Sequence, residues 1–178
     1  MSTTTVTTAP VQGMDGLKLD SKTLMSMSVE QRDHILEELL KKLENGEPAQ
    51  QASAAESLFN ATSEDELSRQ KISAMGVVKP LVQLLKQDDV KGQMYAAYTL
   101  SALTSIEMSR DDMRECNAIR ALMDVLTGSA NTVSRKGAMR ALGRLARNDE
   151  CAVDIVFLGG LEPIVALLRS DEIGRSQV

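Results

Sequence analysis

Apolar residues recur along this chain at steps of three and four, the spacing that lines one face of a helix. Ile35, Leu36, Leu39, Leu40 and Leu43 form the first such face, and Ser28 with Gln31 before them fits a capping box. Gly46 stops that helix and Pro48 opens the next as a first-turn proline. The second helix is predicted to run to about Thr62, with Ala54, Ala55, Leu58 and Phe59 inward. Ser63 and Glu66 suggest another capping box, opening a short helix that ends near Met75. Gly76 suits a left-handed turn, and Pro80 sits in the first turn of the helix that follows. After Asp88 and Asp89 a long helix is predicted, and the cycle then repeats. A short helix starts at about Ser109, Asn117 takes the turn, and a helix follows through Leu126. Beyond Gly128 a long helix reaches about Arg147. A further unit starts at Asn148, turns at Gly159-Gly160 and reaches Arg169.

The repetition extends to residue types. Ala54-Ala55-Glu56-Ser57-Leu58 returns as Ala96-Ala97-Tyr98-Thr99-Leu100 and as Ala138-Met139-Arg140-Ala141-Leu142, with a step of about 42 residues. A second element, Met75-Gly76-Val77-Val78-Lys79-Pro80-Leu81, returns in phase from Cys116 and from Leu158. A fixed period of this length in an all-helical pattern marks a solenoid, and periods of about 34 or 33 residues do not fit.

A short helix, a Gly turn, an apolar second helix with an early Pro and a long Ala-Ala-x-x-Leu-x-x-Leu helix together resemble the armadillo repeat. The resemblance covers roughly residues 30–178. It implies an all-α, right-handed α-solenoid of armadillo repeats, with units at about 28–62, 63–105, 106–147 and 148–178, the last incomplete. Residues 1–27, rich in Thr, Ser and Gly, are expected to be a disordered N-terminal tail.

Composition narrows the function. The chain has 178 residues, 43% of them hydrophobic but only 2% aromatic, so its core must be built from aliphatic side chains and Met. A formal charge of −5 offers no general case for nucleic-acid binding. No apolar run approaches the roughly 18 residues of a membrane span, and the N-terminus lacks a secretory pattern. Cys116 and Cys151 have no metal-ligand spacing and are read as reduced, so a cytoplasmic or nuclear location is expected. His34 is the single histidine, on a Glu- and Lys-rich helix, and no catalytic constellation or phosphate loop is visible. No enzyme activity and no cofactor are therefore expected.

The resemblance implies a concave groove lined by the third helices, in which an extended peptide binds. On the third helix of the third unit, Ala138, Ala141, Leu142 and Leu145 share the core face, while Lys136, Arg140, Arg144 and Arg147 fall opposite. Like charges at i, i+4 cost roughly 0.2–0.5 kcal/mol each. The row reads either as a stripe for a protein or peptide partner of acidic or mixed charge, or as a solvated face. Nuclear-import adapters with this repeat place a Trp and, four residues on, an Asn on successive third helices. The matching pairs are Glu56/Asn60, Tyr98/Ala102 and Arg140/Arg144; Asn60 alone matches the Asn, and Tyr98 partly replaces the Trp. The groove candidates are thus Asn60, Tyr98, Lys136, Arg140, Arg144 and Arg147. A protein-interaction scaffold is the first expectation; the alternatives are an import adapter for lysine-rich cargo, or the recognition or regulatory part of a larger protein such as a ubiquitin ligase. Leu161, Ile164, Val165 and Leu168 lack a following third helix to cover them, so either self-association through this end or a longer native chain is expected.

Overall fold

Helix after helix follows the repeat in a computed structural model that describes residues 26–63, 66–128 and 131–166, with Thr23 and Arg169 besides. Most of the expected tail, as well as Leu168, lies outside the described residues. The helices are α1 (Val29–Asn45), α2 (Pro48–Thr62), α3 (Glu66–Ala74), α4 (Val78–Leu85), α5 (Val90–Leu103), α6 (Glu107–Glu115), α7 (Ala118–Gly128), α8 (Thr132–Leu145) and α9 (Asp149–Phe157). Residues 161–166 are helical as well.

Local signals explain most of these boundaries. Ser28 accepts from the Gln31 amide while the Gln31 side chain accepts from the Ser28 amide, the reciprocal cap that starts α1. Asp89, Asn131 and Asn148 each cap a later helix through a side-chain oxygen. The turn after each short helix uses a positive φ: 75° at Gly76, 58° at Asn117 and 77° at Gly159. Only residues that tolerate the left-handed region fit there, so the repeated Gly or Asn is a backbone requirement.

Gly46 ends α1 as expected, in an extended conformation with φ −77°. Two expectations need correction. Ser63 belongs to the end of α2: its hydroxyl donates to the Phe59 carbonyl at 2.8 Å instead of opening α3. Phe59 is half-buried, outside the core, because its ring packs against Tyr95 and Tyr98 on the neighbouring long helix.

The long helices α2, α5 and α8 stack side by side, with α1, α4 and α7 packed respectively against them. Ala54, Ala55 and Leu58, their counterparts Ala96, Ala97 and Leu100, and then Ala138, Ala141 and Leu142 are all at most 1% exposed. Alanines at these crossings allow close approach, and each buried Leu adds about 1.5–3 kcal/mol of apolar burial. Gly137 marks a close crossing of α5 and α8, since a Cβ there would stand 3.0 Å from the Ala97 Cβ. Polar ties between units supplement the packing. The Ser73 and Ser109 hydroxyls meet at 2.5 Å, and Ser134 donates to the Val90 carbonyl at 3.2 Å.

The last unit repeats the apolar pattern without the burial. Val78 and Ile119 are 1% and 3% exposed, but the corresponding Leu161 is 55% exposed. Their partners Val82 and Met123 are buried, whereas Val165 is exposed. No long helix among the described residues covers them.

Candidate functional site

The C-terminal ends of the long helices converge on a cleft of about 680 Å³. Its floor holds Phe59 of α2 and Tyr98 of α5, whose ring centroids are 5.6 Å apart. Five arginines line it: Arg69 from α3, Arg110 from α6, Arg140 and Arg144 from α8, and Arg147 just beyond α8. Among the described residues no Asp or Glu lines it.

Helix-end chemistry accounts for three of the five. A long helix leaves its last carbonyls without intrahelical partners and carries partial negative charge at that end. Arg69 donates to the Thr62 carbonyl at 3.0 Å, Arg110 to the Thr104 carbonyl at 2.9 Å and Arg144 to the Ser101 carbonyl at 2.9 Å. These guanidiniums cap α2 and α5 and are held in place by doing so. Arg140 and Arg147 hold no hydrogen bond or ion pair among the described residues. Partial burial, followed by the neighbouring charges of Arg140, Arg69 and Arg147, pushes the Arg144 guanidinium below its ordinary pKa. The cleft is therefore short of negative charge even after its helix ends are satisfied.

Four sequence candidates, Tyr98, Arg140, Arg144 and Arg147, line this cleft together. Lys136 is exposed at the other end of α8, and Asn60 is half-buried on α2; neither lines it. Arg69, Arg110, Ser101 and Thr104 do line it and were absent from the sequence reading. Arg69 and Arg110 occupy matching places in successive units, and that recurrence was the available signal.

Other ionic groups pair elsewhere. Between α2 and α5, Glu56 accepts from Tyr95 at 2.8 Å and from Lys91 at 2.7 Å. Lys71 pairs with Asp33 between α3 and α1. Arg114 on α6 pairs with Glu150 and, at 2.7 Å, with Asp154, both on α9. Its pKa is held above the ordinary value, chiefly by the Asp154 hydrogen bond. Among the described residues no cluster of His, Cys, Asp and Glu is placed to hold a metal ion, and no helix is long and apolar enough to cross a membrane.

Residues 65–105, which span α3 to α5, match the model of the armadillo/beta-catenin-like repeat. That segment is an armadillo repeat. The chain is 26% identical over 121 residues to armadillo repeat-containing protein 3 of Homo sapiens, a match covering 68% of this chain and 14% of that protein. Its fold is similar to that of a designed armadillo repeat protein in complex with the peptide (KR)4. That pair has a TM-score of 0.74 and 22% identity, covering 85% of this chain and 63% of the designed one. It is also similar to computationally designed armadillo repeat proteins for modular peptide recognition, with a TM-score of 0.73 and 21% identity over 83% of this chain and 64% of that one. An engineered protein aligns with a TM-score of 0.74 and 27% identity, over 83% of this chain and 59% of its own. The chain thus spans less than two thirds of each of these proteins. The all-α solenoid is that of armadillo-repeat proteins.

Proposed function

We propose that this armadillo array is a protein-interaction scaffold whose groove holds an extended partner segment of acidic or mixed charge. The observation that carries the reading is the cleft itself: among the described residues it has five arginines and no carboxylate in its lining, and two of the arginines have no partner. Aromatic rings at its floor supply apolar contact for the stems of partner side chains. The peptide (KR)4 bound by the designed relative has the opposite sign to what this cleft fits, because a lysine or arginine entering it meets like charge. This argues against the import-adapter reading for the present groove.

The test compares acidic and lysine-rich peptide libraries on the parent chain and on Arg140→Glu/Arg147→Glu. These two arginines hold no helix end, so their reversal leaves the internal caps in place. Binding of acidic peptides by the parent is expected to weaken roughly tenfold or more in the variant, about 1.4 kcal/mol or above. Selection of lysine-rich peptides by the parent would reverse the proposal.

A further inference from the structure

We propose that the groove is a phosphopeptide site, taking the dianionic phosphoryl group of a phosphoserine or phosphothreonine at the junction of Arg69, Ser101, Arg140 and Arg144. The inference rests on the scaffold reading above and specifies the chemistry of the ligand.

Donor and charge supply both exceed what a carboxylate uses. A carboxylate brings one charge and two acceptor oxygens, whereas a phosphoryl monoester brings nearly two charges and three strong acceptors. Three of the five guanidiniums are balanced in part by the helix ends they cap, which leaves Arg140 and Arg147 wholly uncompensated. That excess matches one phosphoryl group better than one carboxylate.

Two buried donors point the same way. Ser101 is 1% exposed and lines the cleft, yet its hydroxyl has no partner among the described residues. The Nε of Arg69, another lining residue, is likewise buried and unpaired. Buried polar groups in folded proteins are almost always satisfied, so two orphans beside one cleft call for a shared acceptor. Because Arg69 is already fixed by its bond to the Thr62 carbonyl, its remaining N–H groups are oriented before any ligand arrives. A multi-acceptor tetrahedral anion can answer several of these donors at once, whereas a planar carboxylate answers fewer.

Peptide is favoured over lipid as the source of the phosphoryl group. The arginines line one cleft together with the half-buried rings of Phe59 and Tyr98, which offer apolar contact to the side chains of a peptide. A membrane surface is engaged instead by basic groups on a projecting face.

The experiment uses three degenerate peptide libraries that differ only at a fixed central residue: phosphoserine, glutamate or serine. Each is titrated by fluorescence anisotropy against the full chain, against Ser101→Ala and against Arg69→Lys. The expected order is phosphoserine above glutamate above serine, with a preference of roughly tenfold for phosphoserine over glutamate. Ser101→Ala and Arg69→Lys are expected to shrink that preference, weakening phosphoserine binding more than glutamate binding. Lowering the pH below about 6 protonates the phosphoryl group and narrows the gap as well. Equal binding of phosphoserine and glutamate libraries would overturn the phosphoryl inference and leave the acidic-groove reading standing. Failure of both libraries would overturn both. Binding to phosphoinositide-containing vesicles with no peptide binding would assign the cleft to a membrane and overturn the peptide claim. The parent comparison decides the matter even if either variant fails to fold.

Discussion

Between α2 and α5, Glu56 is answered by Tyr95 and Lys91. On the same stack, five arginines share a cleft that no carboxylate lines among the described residues. Both regions are built from α2 on α5 on α8, and both place polar side chains at repeat-related positions, Glu56 and Arg140 among them. They differ in where the compensating charge comes from. One region closes its electrostatics internally and works as a strut between units. The other satisfies only its helix carbonyls and stays open to an outside anion. Charge as such does not mark a binding site; charge without an internal partner does.

The largest effect that breaks this comparison is Leu100→Ala. Leu100 is fully buried in α5, in the stack that both regions share, and its truncation should cost about 2–5 kcal/mol. Chemical denaturation of the variant should show both regions destabilised together. A loss below about 1 kcal/mol would mean that the shared stack is not what holds them. Next comes charge reversal in the open region. Arg140→Glu/Arg147→Glu should remove acidic-peptide binding by tenfold or more, as above, while shifting stability by about 0.5 kcal/mol at most. A collapse of the fold in that variant would show that these arginines are structural after all.

Glu56→Gln sharpens the contrast in the closed region. The amide oxygen still accepts from Tyr95 but no longer attracts Lys91, whose side chain is 54% exposed. The cost should lie at about 0–1 kcal/mol, with peptide binding unchanged. Isothermal titration showing weakened binding would connect the two regions. The smallest effect is a pH dependence. Burial first, then the Glu56 hydrogen bond and charge, push the Tyr95 phenol above its ordinary value of 10.0. The protonated phenol is therefore favoured in the folded chain. Its contribution is fully present below pH 10 and is lost as pH rises through the folded-state value. Thermal melts should decline more steeply above that pH in the parent than in Tyr95→Phe.

Much of the scaffold was legible in the chain because it depends on local and periodic signals. Gly76, Asn117 and Gly159 announce a positive φ wherever they stand, and all three adopt it. The Ala and Leu positions of α2, α5 and α8 declare a buried face by phase alone, and they are buried. Ser63 misled because a hydroxyl followed by Glu suits a helix start equally well, while the carbonyl of Phe59 claimed it first. Phe59 misled because an aromatic ring on an apolar face is read as core until its neighbours are known. Here those neighbours are Tyr95 and Tyr98, and Phe59 and Tyr98 line the cleft.

The site was legible by halves. Arg140, Arg144 and Arg147 could be grouped because they sit on or just beyond a single helix at helical spacing. Arg69 and Arg110 come from other helices and reach the cleft only because the short helices pack beside the ends of the long ones. Periodicity by itself therefore determined the helices, their turns and their buried faces, since each rests on backbone geometry and on apolar area hidden every few residues. Only the stacked structure decided which charges meet. That depends on distances between segments some 40 residues apart, and on which carbonyls the end of each long helix leaves for an arginine to take.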